Sequence, residues 1–196
     1  MITVGLTGSI ATGKSETGRM FAARGVPVLE ADAIVHSLYA RGGAVVGPIA
    51  ALAPETLRDG AIDRARLSSI LQEQPQLLPA IEAITHPLVR AAQLDFIARM
   101  EKAAHRFALL DIPLLFEKDR IGDVDKIIVT TCDPDVQRTR AMARPGMTVE
   151  KLEWILARQM PSADKVTRAD FIIDTGHGLE AAGRRVDEII AALGGV

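Results

Sequence analysis

The stretch GLTGSIATGKSETG, which begins at Gly5, runs from an apolar segment into a glycine-bracketed turn that ends in lysine and serine. Gly8, Gly13, Lys14 and Ser15 fit the spacing G-x-x-x-x-G-K-[ST]. Four such positions arise by chance in roughly one chain in a hundred of this length, so the flanking sequence decides. MITVGL before the turn is a short apolar run, and SETGRMFAA after it carries helix formers with apolar Met20 and Phe21. In the order strand, loop, helix, glycines let main-chain N–H groups approach an anion closely, and the positive end of the helix attracts it. Phosphate is the predicted ligand. Lys14 would reach the terminal phosphates as a mobile point charge, and the Ser15 hydroxyl would ligate the magnesium ion that bridges them.

At 196 residues the chain suits one compact domain with room for an insertion. Its formal net charge of −2 argues against a nucleic-acid partner or an acidic-membrane binder, either of which would call for a broad basic excess. The single cysteine, Cys132, has no Cys or His at metal-ligand spacing and reads as a buried, idle thiol. No secretory leader pattern stands at the N-terminus, and no apolar run reaches about 18 residues, which predicts a soluble, cytoplasmic protein with no membrane association.

Apolar runs recur as ITVGL, VPVL, FALLDI, KIIVTT and DFIID, with helical stretches between them. Continuous rather than alternating apolarity predicts five strands buried on both faces, in a parallel sheet flanked by helices. The last segment places Leu179, Ala182, Val186, Ile189, Ile190 and Leu193 on one helical stripe. From about Ile34 to His105 no convincing strand appears; the patterns there are helical, including LVRAAQLDFIARMEKA, and ALAPETLRDGAID is the part richest in loop residues. That length exceeds an ordinary crossover and predicts a helical insertion.

Ligands of open parallel sheets collect beyond the carboxyl ends of strands, and polar residues trail the apolar runs here. Asp32, after VPVL, is the candidate general base, weighed evenly against a helix N-cap for AIVHSL. Asp111, ending FALLD, is a candidate magnesium ligand. Arg140 and Arg144 are four apart, read as sharing a helix face, and suit a lid that brings charge over phosphate. His86 in ITHPLVR stands before a proline at an expected helix start. His36, His105 and His177 show no ligand spacing, and Trp154 reads as helix packing.

Together these segments resemble the dephospho-CoA kinases. LTGSIATGKS, GVPVLEADAIVHSLY, DGAIDRARL, ITHPLV, DIPLLFE, QRTRAMAR and QMPSADKVTRADFIIDTG carry the resemblance, which covers nearly the whole chain. It implies a P-loop nucleotide-kinase fold with a core at 1–33 and 106–196, a helical substrate-binding insertion at 34–105 and a lid at 138–162. It further implies an enzyme that uses ATP and Mg2+ to phosphorylate the ribose 3'-hydroxyl of dephospho-CoA, the last step of coenzyme A synthesis. Asp32 matches the family's base. With Lys14, Arg140 and Arg144 it forms the catalytic set implied. Gly8, Ala11, Thr12, Gly13, Lys14, Ser15 and Glu16 would hold ATP, and Ser15 and Asp111 the metal. Thr7, Asp32, His86, Leu114, Leu115, Phe116 and Glu117 would hold the acceptor.

Ser9 and Ala11 stand where the family commonly has glycine, Glu30 where it has aspartate, Ile155 where it has arginine, and Thr175 where it has asparagine. Arg158 is the nearest substitute for the charge missing at 155. The expected partners are small molecules, dephospho-CoA and ATP, with the protein a monomer or weak homo-oligomer. The rival readings are a nucleoside or nucleotide kinase and a nucleotide-dependent switch; the switch would want a guanine-reading N-K-x-D or T-K-x-D segment, which the sequence lacks.

Overall fold

The structure is a computed structural model that describes residues 1–195. The chain divides into two compact units, one of Met1–Leu29 with Ile97–Val196 and one of Glu30–Phe96.

The first unit is built on a five-stranded sheet of order β2-β5-β1-β6-β7, from β1 (Ile2–Gly8), β2 (Val28–Glu30), β5 (Phe107–Asp111), β6 (Lys126–Thr131) and β7 (Phe171–Asp174). The pairs β1–β5, β1–β6 and β6–β7 are parallel. Each strand coincides with one of the five apolar runs. β5 is buried along its whole length, as a central strand covered on both faces must be. One face is closed by α1 (Lys14–Ala22) and α9 (Gly178–Ala192), whose Phe21, Ala182, Val186 and Ile189 join Val4, Leu6, Leu109, Ile128 and Ile173 in one apolar cluster. Leu179 departs from the expected stripe. It lies in the first turn of α9 and is 67% exposed, because the packed face of that helix begins at Ala182.

Between β6 and β7 lie α6 (Pro134–Met142), α7 (Val149–Leu156) and α8 (Ser162–Val166). Asp133 caps α6 by accepting from the Asp135 N–H, with Pro134 in the first turn, and Thr148 caps α7 by accepting from the Lys151 N–H. Because α6 ends at Met142, Arg144 lies beyond the helix in a turn, its N–H bonded to the Ala141 carbonyl. Arg140 and Arg144 therefore do not share a helix face as the spacing suggested. Trp154 is likewise not packed inside: it is 57% exposed, and the Arg158 guanidinium stacks 3.7 Å from its ring centroid.

The second unit holds α2 (Ala31–Tyr39), α3 (Val46–Leu52), α4 (Arg64–Glu73) and most of α5 (Leu78–Lys102) around Tyr39, Val45, Ile49, Ile62, Leu67 and Ile81. Two features there differ from the sequence reading. Leu57–Arg58 and Ala61–Ile62 form a short antiparallel hairpin, β3–β4, where no strand was expected. Its turn residues Asp59 and Gly60 both have positive φ, 49° and 77°, the twist a two-residue Asp-Gly turn provides. The second feature is α5, which starts at Leu78 and runs through Pro87, so His86 sits inside a helix rather than before one. The proline removes one main-chain bond. The buried stripe of Ile81, Thr85, Val89, Gln93 and Phe96, spaced three or four apart, holds the helix across that gap.

Candidate active site

Close contacts fix the glycine-bracketed turn at Gly8 and Gly13. A side chain at Gly8 would collide with the hydroxyls of Thr130 and Thr12 and come within 2.9 Å of the Thr130 carbonyl. The Thr12 hydroxyl donates to the Ser9 carbonyl at 2.8 Å and meets the Thr130 hydroxyl at 2.9 Å. Gly13 takes φ 85° at the N-terminus of α1, a left-handed conformation that glycine adopts without strain. Ala11 has φ 61° without that freedom, and its methyl lies in an apolar cluster with Ala141 and Leu152.

Lys14 opens α1, and its ammonium is ion-paired with the Asp111 carboxylate at the end of β5. The pairing register that places Asp111 opposite Leu6 of β1 brings the two groups together at the carboxyl edge of the sheet. Ser15 is exposed in the first turn of the same helix, and Glu16 beside it is ion-paired with Arg19. Magnesium takes few protein oxygens, keeps several waters and shares phosphate oxygens. One hydroxyl at Ser15 and one carboxylate at Asp111 fit that demand, and among the described residues no group of three or more His, Cys, Asp or Glu forms a dedicated cage.

Arg140 is only half-buried, and its two terminal nitrogens donate to the hydroxyl and carbonyl of Thr175, at 2.9 and 2.8 Å. The Thr175 hydroxyl in turn donates to the Thr12 carbonyl at 3.0 Å. Arg140 thus reaches the phosphate loop through Thr175, while Arg138 and Arg144 are exposed. Cys132 is buried nearby; burial pushes its thiol up, against the opposing pull of the Arg140 charge.

The DIPLLFE segment folds into a tight turn after β5. Thr7, fully buried, donates to the Pro113 carbonyl at 3.2 Å and so ties this turn to the end of β1. Leu115 is fully buried beside Gly5, and Phe116 is also buried, whereas Leu114 is exposed. The Glu117 carboxylate accepts from the Met160 N–H and pairs with the buried ammonium of Lys165, both at 2.8 Å. Burial pushes that carboxyl up, but the adjacent Lys165 ammonium and the hydrogen bond from the Met160 N–H outweigh it and leave Glu117 below the usual range. Thr7, Leu115 and Phe116 are buried and Glu117 is paired with the buried Lys165, whereas Leu114 alone of the five is exposed.

Asp32 and His86 belong to the second unit. Asp32 is exposed in the first turn of α2, two residues past the end of β2. The residue before that helix is Glu30 and makes no side-chain cap, so Asp32 is not the helix cap either. His86 is exposed, 3.9 Å from the Glu82 carboxylate one turn earlier.

Sequence reasoning passed over Gln137, Gln159 and Lys165, which hold the phosphate loop and the turn after β5. Gln159 is 149 residues from its partner Ile10, and nothing local marks it. The paired threonines closing KIIVTT were the available signal for Thr130: polar residues ending a buried strand have to satisfy something there.

A parallel sheet whose first strand runs into a glycine-bracketed anion loop, with a lysine and a carboxylate meeting at its carboxyl edge, defines a P-loop protein of the nucleotide-kinase type. Comparison with known proteins narrows this. The family model for dephospho-CoA kinase matches residues 2–180. A dephospho-CoA kinase of Agrobacterium fabrum is 50% identical over 194 residues, 99% of each chain. A crystal structure from Thermus thermophilus, 30% identical, superposes with TM-score 0.84 and covers 97% of this chain and 96% of that one. The dephospho-CoA kinase structure from Campylobacter jejuni, 25% identical, gives 0.74 with the same coverage. The chain belongs to the dephospho-CoA kinase family. Among its described residues no helix is long and apolar enough to cross a membrane.

Proposed function

We propose that this chain transfers the terminal phosphoryl group of ATP to the ribose 3'-hydroxyl of dephospho-CoA, giving coenzyme A and ADP in the last step of coenzyme A synthesis. The observation that carries the reading is the meeting of Lys14 and Asp111 beneath a rigidly held phosphate loop, in a chain of this family.

Phosphoryl transfer asks for in-line placement and neutralisation of charge more than for covalent help. The N–H groups of Ala11 and of Gly13 to Glu16 cradle the phosphates of ATP, and Lys14 exchanges its contact with Asp111 for the terminal phosphate. Ser15 and Asp111 would hold Mg2+, which neutralises charge on the phosphate oxygens when bound. Asp32 orients the acceptor hydroxyl and takes its proton as the new bond forms. Arg140, through Thr175, keeps the loop in shape, and Arg144, in the 138–162 lid, supplies charge to the phosphates and helps exclude competing water. The insertion at 34–105, with His86, and the exposed Leu114 hold the acceptor. The protein works in the cytoplasm on small molecules, without nucleic acid, as a monomer or weak homo-oligomer.

The test is an acceptor series with ATP and Mg2+. Dephospho-CoA should show a far higher kcat/KM than AMP, adenosine or other nucleosides, with the product phosphorylated at the 3'-position by mass spectrometry and phosphorus NMR. Comparable efficiency with a simple nucleotide would assign the chain to nucleotide kinases instead.

A further inference from the structure

Ile10, in the phosphate loop, has both of its main-chain groups taken by side-chain amides from elsewhere. Its N–H donates to Gln159 Oε1 at 2.9 Å, and its carbonyl accepts from Gln137 Nε2 at 2.7 Å. Gln137 lies on α6, just before the 138–162 stretch; Gln159 lies in the turn that follows α7, near its end. Two further contacts bind the same places. The hydroxyls of Ser9 and Ser162 meet at 3.1 Å, and Ile10 and Ala11 pack with Ala141, Met147, Leu152 and Leu156 of the same stretch.

The chemistry of this clasp is specific. The N–H and the carbonyl of Ile10 belong to the two successive peptide planes that flank the residue, so the two contacts orient both planes and with them the path of the amides that follow towards Lys14. Both partners are neutral, long side chains. A carboxylate here would repel an anion in the loop, and an ammonium would compete with Lys14 for it. Gln159 acts as acceptor and Gln137 as donor, so the two positions are not interchangeable.

We propose that Gln137 and Gln159 are positioning residues for phosphoryl transfer: they fix the phosphate loop through Ile10 and tie its shape to the stretch that bears the lid arginine. The proposal rests on the reading that this loop holds the phosphates of ATP.

The test compares Gln137→Glu, Gln159→Glu, Gln137→Met and Gln159→Met in the full chain. ATP affinity is measured by calorimetry, KM for both substrates and kcat by initial rates, and stability by thermal unfolding. The two Glu variants add the same charge beside the loop, so the difference between them reports hydrogen-bond polarity. Gln159→Glu keeps an acceptor for the Ile10 N–H, whereas Gln137→Glu sets lone pairs against the Ile10 carbonyl. ATP binding should therefore be about tenfold weaker in Gln137→Glu than in Gln159→Glu, the ratio expected when a half-buried carbonyl loses its donor and faces a lone pair instead. Both Met variants should raise the KM for ATP and leave that for the acceptor unchanged. Equal ATP affinity in the two Glu variants, or Met variants that lose only thermal stability, would overturn the assignment. Failure of the unaltered protein to bind ATP would overturn the functional reading and this assignment together.

Discussion

The ammonium of Lys165, fully buried, stands 2.8 Å from Oε1 of Glu117, and this pair joins the turn after β5 to α8. Removing one partner of a buried pair leaves an uncompensated charge, while replacing both by apolar groups of similar volume is often neutral. Lys165→Met should therefore destabilise the protein by roughly 3–5 kcal/mol in urea unfolding. The double variant Lys165→Met with Glu117→Leu should recover most of that loss. A double variant as unstable as the single one would show that the contacts of Glu117, its bond from the Met160 N–H included, rather than the orphaned charge, hold the two elements together.

The same pair sets a pH dependence. The Glu117 carboxyl is below its ordinary range in the folded protein, so the folded state binds fewer protons than the unfolded one there. Asp170 is lowered too: burial raises it, and its bonds to Lys126 and the Ile127 N–H outweigh that. Both contributions are present above the unfolded carboxylate range and are lost as pH falls through the folded values. The melting temperature should hold between about pH 7 and pH 5 and fall below about pH 4. Glu117→Gln should be less stable at neutral pH and shallower in acid. An unchanged acid slope in that variant would remove Glu117 from the account.

The Thr175 hydroxyl accepts from Arg140 while donating to the Thr12 carbonyl. Thr175→Val keeps the shape and removes these bonds together with the 3.3 Å contact to the Thr131 carbonyl, while the Arg140 bond to the Thr175 carbonyl remains. The KM for ATP should rise about threefold to tenfold, as expected for a neutral hydrogen bond lost beside a binding loop. The KM for the acceptor should stay constant. A change in both KM values would mean that Thr175 supports more than the nucleotide side.

The strands were legible in the sequence because burial on both faces writes itself as an unbroken apolar run, and the phosphate loop because only glycine tolerates its contacts at 8 and its φ at 13. The hairpin at Asp59–Gly60 was legible in principle, but Leu57, Arg58, Ala61 and Ile62 are too few to show alternation. Pro87 masked the true start of α5, since a proline speaks for a helix boundary and the stripe that overrides it lies on both sides. In the loop, the two positions fixed by local geometry, Gly8 and Gly13, could be read. Glu117 could not, because its role is decided by Lys165 and Met160, which come together with it only in the fold. The glutamines on Ile10 were out of reach for the same reason.

Asp32 separates a chemical role from a structural one more cleanly than the sequence allowed. Capping of α2 was the competing reading, but the helix begins at Ala31 after an uncapped Glu30, and Asp32 is an exposed residue of the first turn. All that remains structurally is a favourable charge at the positive end of the helix, typically about 0.3–1 kcal/mol. Asp32→Asn should therefore leave the unfolding midpoint nearly unchanged and keep ATP affinity. Turnover should fall by about 10²-fold or more, the scale of a general-base contribution. Near-normal turnover would return the proton to another acceptor, and a large stability loss with intact turnover would make Asp32 a structural residue after all.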